Sequence, residues 1–147
     1  MRDDLVAALV PVLGRSLDKD FNVFDVMHHG LHEKQISNVF RWLLETEGTH
    51  GFGDRFVRIF IDEVNRTLEG RESLRDGGYW VRQEVNTSVA GDGADIADLV
   101  LENDDAVLVV ENYFTSDGHG HDYDRYLTYA ERDGRRGVVV LLCRDED

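Results

Sequence analysis

The chain has 147 residues, 41% of them hydrophobic and 31% charged, with fourteen Gly and one Pro. That length suits one compact core and that balance is globular, so a single domain over residues 1–147 is expected, and a disordered chain or one with proline-rich linkers is disfavoured. Sixteen Lys and Arg stand against thirty Asp and Glu, a formal net charge of −14, which disfavours a protein that grips a phosphate backbone through a simple basic patch.

The single cysteine, Cys143, cannot close an internal disulfide, and the first residues lack the basic stretch, long apolar segment and cleavage site of a secretory signal. The longest apolar runs, residues 5–10 and 106–110, fall far short of the roughly 20 residues a membrane span needs. The expectation is a soluble cytoplasmic protein with no membrane partner.

Taken in chain order, Asp3 or Asp4 can cap a short helix with Leu5, Ala8, Leu9 and Val12 on one face, which Pro11 bends or ends. Residues 21–27 are ambiguous in period, and His28-His29-Gly30 reads as a break. From Leu31 to about Thr46, Ile36, Val39, Phe40, Leu43 and Leu44 fall at helical spacing, and Glu33 projects from that apolar stripe rather than from a solvent face. A second helix is predicted from about Gly53 to Glu69, with Phe52, Phe56, Ile59, Phe60, Val64 and Leu68 as its stripe. The period then changes to two. Strands are predicted over 79–86, 95–102 and 106–113, the last two joined by a hairpin turn at Asn103-Asp104-Asp105. A glycine-rich loop at 116–121 opens a helix carrying Tyr123, Tyr126, Leu127 and Ala130, which ends at Asp133-Gly134. An apolar strand over 137–143 follows. The order describes an α/β sheet, at least partly antiparallel, with helices against it.

The acid excess is local. Residues 1–85 hold 15 acids and 11 bases, whereas 86–147 hold 15 acids and 5 bases, and between Gly91 and Asp124 ten acids occur with no Lys or Arg. Loop acids keep a chain soluble, but some of these fall inside apolar strand patterns, where that explanation does not reach. Asp98 shares its strand face with Ile96 and Val100, and Glu111 shares its face with Val107 and Val109. A hairpin sets the open ends of two strands side by side, so Asp98 and Glu111 can meet there, with Glu33 approaching from the packed helix. Three carboxylates within about 5 Å repel by roughly 3 kcal/mol per pair at an effective dielectric of ~20. Protons or a cation must offset that, and a hard divalent ion with oxygen ligands, Mg²⁺ or Mn²⁺, is the economical answer.

Asp98, twelve residues, then Glu111-Asn112-Tyr113 resembles the motif of the PD-(D/E)XK nuclease superfamily. The helix around Glu33, the strand Asp98-Leu-Val-Leu, the strand end Val-Val-Glu-Asn112 and the pair Arg125-Tyr126 are similar to a branch with a Glu-bearing first helix and an Arg-Tyr helix. The likeness runs from about residue 32 to 142. It implies a restriction-endonuclease-like αβββαβ core, here with additional N-terminal helices, in one nuclease-like domain. It also implies Asp98, Glu111 and the backbone of Asn112 as metal ligands, Glu33 as an assisting acid, and hydrolysis of phosphodiester bonds in nucleic acid, DNA foremost. A homodimer is a further expectation, since cutting two strands calls for two sites.

One departure bears on activity. The position two after Glu111 is Lys in such enzymes and Tyr113 here; a phenol can donate a hydrogen bond but brings no ammonium charge. The chain has two lysines, Lys19 and Lys34, and Lys34 lies about 100° round the helix from Glu33. Lys34, or His119 or His121 in the glycine-rich loop, are the replacements the sequence offers, although histidines in such a loop are ordinarily solvated. Arg125 reads as a phosphate contact or an ion pair with Asp122 or Glu131, and Tyr126, Trp42 and Trp80 read as core aromatics. Two functions remain open: a metal-dependent nuclease, or a catalytically degenerate nuclease fold that serves as a protein-interaction or regulatory module.

Overall fold

The computed structural model describes residues 32–68, 70–88, 95–113 and 122–143, with the backbone alone described at His32, Glu33, Tyr113 and Cys143. The expected helix over 3–12, the ambiguous stretch 21–27, His28, His29 and the loop with Asp117, His119 and His121 lie outside the described residues.

Two helices, α1 (His32–Leu44) and α2 (Arg55–Thr67), precede three strands, β1 (Trp80–Asn86), β2 (Ile96–Glu102) and β3 (Ala106–Tyr113); α3 (Tyr123–Glu131) and β4 (Arg136–Cys143) follow. The sheet order is β1-β2-β3-β4, with β1–β2 and β2–β3 antiparallel and β3–β4 parallel through the α3 crossover. The expected αβββαβ order is therefore present, with α2 inserted between α1 and β1.

The two sheet faces are covered separately. Val57, Ile61 and Val64 of α2 and Leu44 of α1 close over Val81, Leu99, Leu101, Leu108 and Val110. On the other face Tyr126, Tyr129 and Ala130 of α3 cover Val100, Val107 and Val109. The central strands are buried on both sides, which is why 106–110 reads as a continuous apolar run. Gly137 permits the close approach of α3 to β4, because a Cβ there would lie 2.7 Å from the Glu131 side chain and 3.0 Å from Ala130. Gly134, at φ 73°, ends the helix with its N–H bonded to the Glu131 carbonyl.

Two sequence expectations are corrected. The buried stripe of α2 is Val57, Ile61 and Val64, while Ile59 and Phe52 are 59% and 52% exposed. The helix carries two overlapping apolar stripes, and the slimmer β-branched one makes the close approach to the sheet. Phe56 and Ile59 instead wall an apolar groove of about 580 Å³ beside Leu141 of β4. Trp80 is likewise no core residue, being 48% exposed, since it starts an edge strand that α3 reaches only from Arg82, through a 3.0 Å bond to the Tyr129 hydroxyl.

The closed end of the β2–β3 hairpin is tightly organised. Asn103 is fully buried, and its side-chain oxygen accepts the N–H groups of Asp105 and Ala106 at 2.9 and 2.8 Å. Beside it Glu102 is buried between Arg82 at 2.5 Å and Arg135 at 3.1 Å.

Candidate active site

At its other end β2 leaves both neighbouring ladders at one residue. Its pairing with β1 runs from Trp80↔Glu102 to Gln83↔Leu99 and resumes at Val85↔Ala97, so Glu84 and Asp98 face each other across a gap. Glu84 is the one described non-glycine residue with positive φ, 51°. Register is kept across the gap but the faces are exchanged: Val85 and Ala97 pack with Val100 and Tyr126 on the α3 side, although alternation places them with Val81 and Leu99. Ile96, expected to share a buried face with Asp98, is 50% exposed for the same reason.

The pairing of β2 with β3 changes at the same level. The ladder runs from Glu102↔Val107 to Leu99↔Val110. Beyond it side chains take over: the Asp98 N–H donates to Glu111 Oε1 at 3.3 Å and the Asn112 N–H donates to Asp98 Oδ2 at 3.0 Å. Each carboxylate is thus held by the backbone of the opposite strand, and the two acids expected to meet do meet. The pairing of β3 with β4 continues to Tyr113↔Cys143, so β4 keeps the Glu111 end of β3 extended after β2 has diverged. Glu111 and Asn112 are buried and Asp98 is half-buried.

The first helix ends up at the same level. Gln83 donates to Asn38 of α1 at 2.6 Å, and Lys34 pairs with Glu84 at 2.5 Å. Glu84 stands opposite Asp98, so the first turn of α1, with the backbone of Glu33, lies at the Asp98 end of the sheet. The Glu33 and Tyr113 side chains are outside the described set. Among the described residues no three His, Cys, Asp or Glu side chains are gathered to hold a metal ion.

Two residues of this region escaped the sequence reading. Tyr126 is fully buried as expected, but its hydroxyl donates to Asp95 Oδ1 at 3.1 Å and lies beside the Glu111 carboxylate. Burial pushes that phenol well above its ordinary value, and the charges of Glu111 and Asp95 push it further. Asp95, immediately before β2, is in turn fixed by its carbonyl, which accepts from the Thr87 N–H at 2.8 Å and the Thr87 hydroxyl at 2.9 Å. No local pattern in the sequence signals this link, because Asp95 and Tyr126 are 31 residues apart and on different elements. Arg125 pairs with Asp122 at 3.3 Å, and Asp122 caps α3 by accepting the Asp124 N–H. The apolar groove lies elsewhere, on α1, α2 and β4.

A four-stranded mixed sheet between helices, with an acid at the break in β2 bonded to an acid near the end of β3, defines a nuclease-like α/β protein. The sequence model of the PD-(D/E)XK nuclease superfamily matches residues 21–146, and the chain belongs to that superfamily. No curated protein and no solved structure matches it significantly. Among the described residues no helix is long and apolar enough to cross a membrane.

Proposed function

We propose that the protein is a divalent-metal-dependent nuclease that hydrolyses phosphodiester bonds in nucleic acid, DNA foremost, at Asp98 and Glu111. The observation that carries this reading is the reciprocal bonding of those residues at the point where β2 parts from its neighbours. Nucleases of this superfamily generally use divalent metal ions. The donor set here fits one: two carboxylates on adjacent strands, one of them buried, together with the backbone of Asn112, whose N–H bonds Asp98, supply hard oxygen ligands suited to Mg²⁺ or Mn²⁺.

Asp98, Glu111 and the Asn112 carbonyl would hold the ion, and Glu33 in the first turn of α1 assists as an acid at the same end of the sheet. The ion, when bound, activates water and offsets the charge that develops on the phosphate. The residues of the chain do the positioning. Backbone N–H groups of β2 and β3 fix the two carboxylates before any substrate arrives, which removes an ordering cost from the reaction. Tyr113, two residues after Glu111, would supply one O–H donor to a phosphate oxygen or to the attacking water. A second copy of the chain supplies the second site for cutting both strands, and the setting is the cytoplasm.

The test is cleavage of DNA and of RNA in Mg²⁺ or Mn²⁺ by the wild-type chain and by Asp98→Ala. Cleavage confined to the wild type is expected; cleavage that survives Asp98→Ala comes from another source and sinks the reading.

A second reading has its own support. Tyr113 stands at the lysine position of the motif, and Lys34 is engaged by Glu84 at 2.5 Å. On those grounds the fold is catalytically degenerate and serves as a protein-interaction or regulatory module, its acidic surface facing a basic partner. Tyr113→Lys separates the two. Metal-dependent cleavage that appears only in Tyr113→Lys supports the degenerate module, whereas wild-type cleavage changed less than about tenfold by it supports the enzyme.

A further inference from the structure

Tyr126 spans an unusual position for an aromatic residue of the core. Its ring is fully buried among Ala97, Val100, Val109 and Ala130 on the α3 side of the sheet, so it has no room to swing. Its hydroxyl emerges between the start of β2, where it donates to Asp95 Oδ1 at 3.1 Å, and Glu111 on β3. Asp95 is itself held by two bonds from Thr87, which is buried at the end of β1. Both Thr87 bonds reach the Asp95 carbonyl, so packing fixes the phenol from one side and β1 fixes the backbone that carries its acceptor from the other.

We propose that Tyr126 is a positioning residue, which with Asp95 holds the Glu111 carboxylate in the orientation that receives the divalent ion. This rests on the metal-dependent reading given above and deepens it. A phenol has one proton for the two carboxylates beside it. That proton goes to Asp95 at 3.1 Å, so the phenol oxygen faces Glu111, and a cation on Glu111 offsets the repulsion between them while the fixed Tyr126–Asp95 pair limits where the carboxylate can turn. Polar groups one bond behind metal ligands act in this way by fixing ligand orientation, and their loss typically costs about 10- to 100-fold in metal affinity. Asp95 thereby belongs to the site without being required as a ligand.

The experiment measures Mn²⁺ binding, by electron paramagnetic resonance of the free ion, in the wild-type chain, Tyr126→Phe, Asp95→Ala and the double variant, with no substrate present. Folding of each is followed by circular dichroism and thermal unfolding. Expected are about 10-fold or greater weakening in Tyr126→Phe with a cooperative fold retained, similar weakening in Asp95→Ala, and a double variant no weaker than the weaker single. Non-additivity is the signature a merely structural tyrosine would not give. Unchanged affinity in Tyr126→Phe overturns the inference, and so do losses that add, which would make Asp95 an independent ligand. Should Tyr126→Phe fail to fold, Asp95→Ala, at a half-buried position ahead of β2, decides by itself, with unchanged affinity overturning the inference. A wild-type chain that binds no Mn²⁺ overturns the metal-dependent reading together with this one, whereas wild-type binding with unaffected variants overturns this one alone.

Discussion

The β2–β3 hairpin carries buried acids at both ends and holds them in different ways. At the closed end Glu102 lies between Arg82 and Arg135, and Arg135 also donates to the Asn103 carbonyl at 3.3 Å. At the open end Asp98 and Glu111 accept backbone N–H groups from each other's strand, and a phenol sits beside Glu111. Two guanidiniums cancel a carboxylate's charge in place, so Glu102 is a structural lock. N–H and O–H dipoles stabilise a carboxylate without altering its formal charge, which keeps it suited to a cation. Burial of an acid therefore says little about function until its partners are known.

At the open end the buried acid is Glu111, which accepts the Asp98 N–H. Glu111→Gln keeps an oxygen to accept the Asp98 N–H but removes the charge. Cleavage should fall about 10²- to 10³-fold, corresponding to the loss of several kcal/mol of transition-state stabilisation, while the fold is kept. Near-wild-type rates in single-turnover assays would put the chemistry elsewhere.

Glu102→Gln probes the other end and should do the opposite. Removing the charge leaves Arg135, 18% exposed at its side chain, next to a neutral amide, and Arg82, 42% exposed, turns to water. Because both arginines are partly solvated, the cost is about 2 kcal/mol rather than the larger penalty of a fully enclosed pair. Urea unfolding should show that loss with cleavage within twofold of wild type. A collapse of activity at unchanged stability would mean that the two ends are not separate in role.

A smaller effect is expected at the helix behind the open end. Asp122 caps α3, and Asp122→Ala should cost about 1 kcal/mol in thermal or urea unfolding. As α3 delivers Tyr126, the variant should also weaken Mn²⁺ binding slightly; a stability loss without any change in binding would show that α3 is held by its packing alone.

Much of this was legible in the sequence, for a physical reason. Period-two alternation and the Asn103-Asp104-Asp105 turn fix β2 and β3 and their register, and a hairpin of known register leaves little freedom in where Asp98 and Glu111 end up. What alternation could not show is its own failure at Glu84 and Asp98, because the left-handed conformation of Glu84 has no glycine to announce it. The buried side of α2 is legible in part: Val64 is buried and Phe60 and Leu68 pack against the core as expected, whereas the slimmer Val57 and Ile61 take the closest places to the sheet. The Tyr126–Asp95 bond joins residues 31 apart through tertiary packing, and no local pattern encodes it.

Each end of the hairpin also holds a buried tyrosine, and alkaline pH tests them against each other. Burial pushes Tyr79 above its ordinary value, but Asn103 and Arg75 beside it pull the other way. Burial pushes Tyr126 up, and Glu111 and Asp95 add to it. An unfolded tyrosine ionises near pH 10. Below that both states keep the proton and the full stability is present; above it the unfolded chain loses protons that the native chain retains, so stability falls as pH rises. A tyrosine that stays un-ionised in the native state contributes a loss of at most about 0.8 kcal/mol at pH 10.5. Tyr126→Phe should remove more of the decline between pH 9.5 and 10.5 than Tyr79→Phe does, as read from urea midpoints. The reverse order would mean that the acids at the open end exert less charge on their tyrosine than burial and its neighbours exert at the closed end, and the contrast between the two ends would fail.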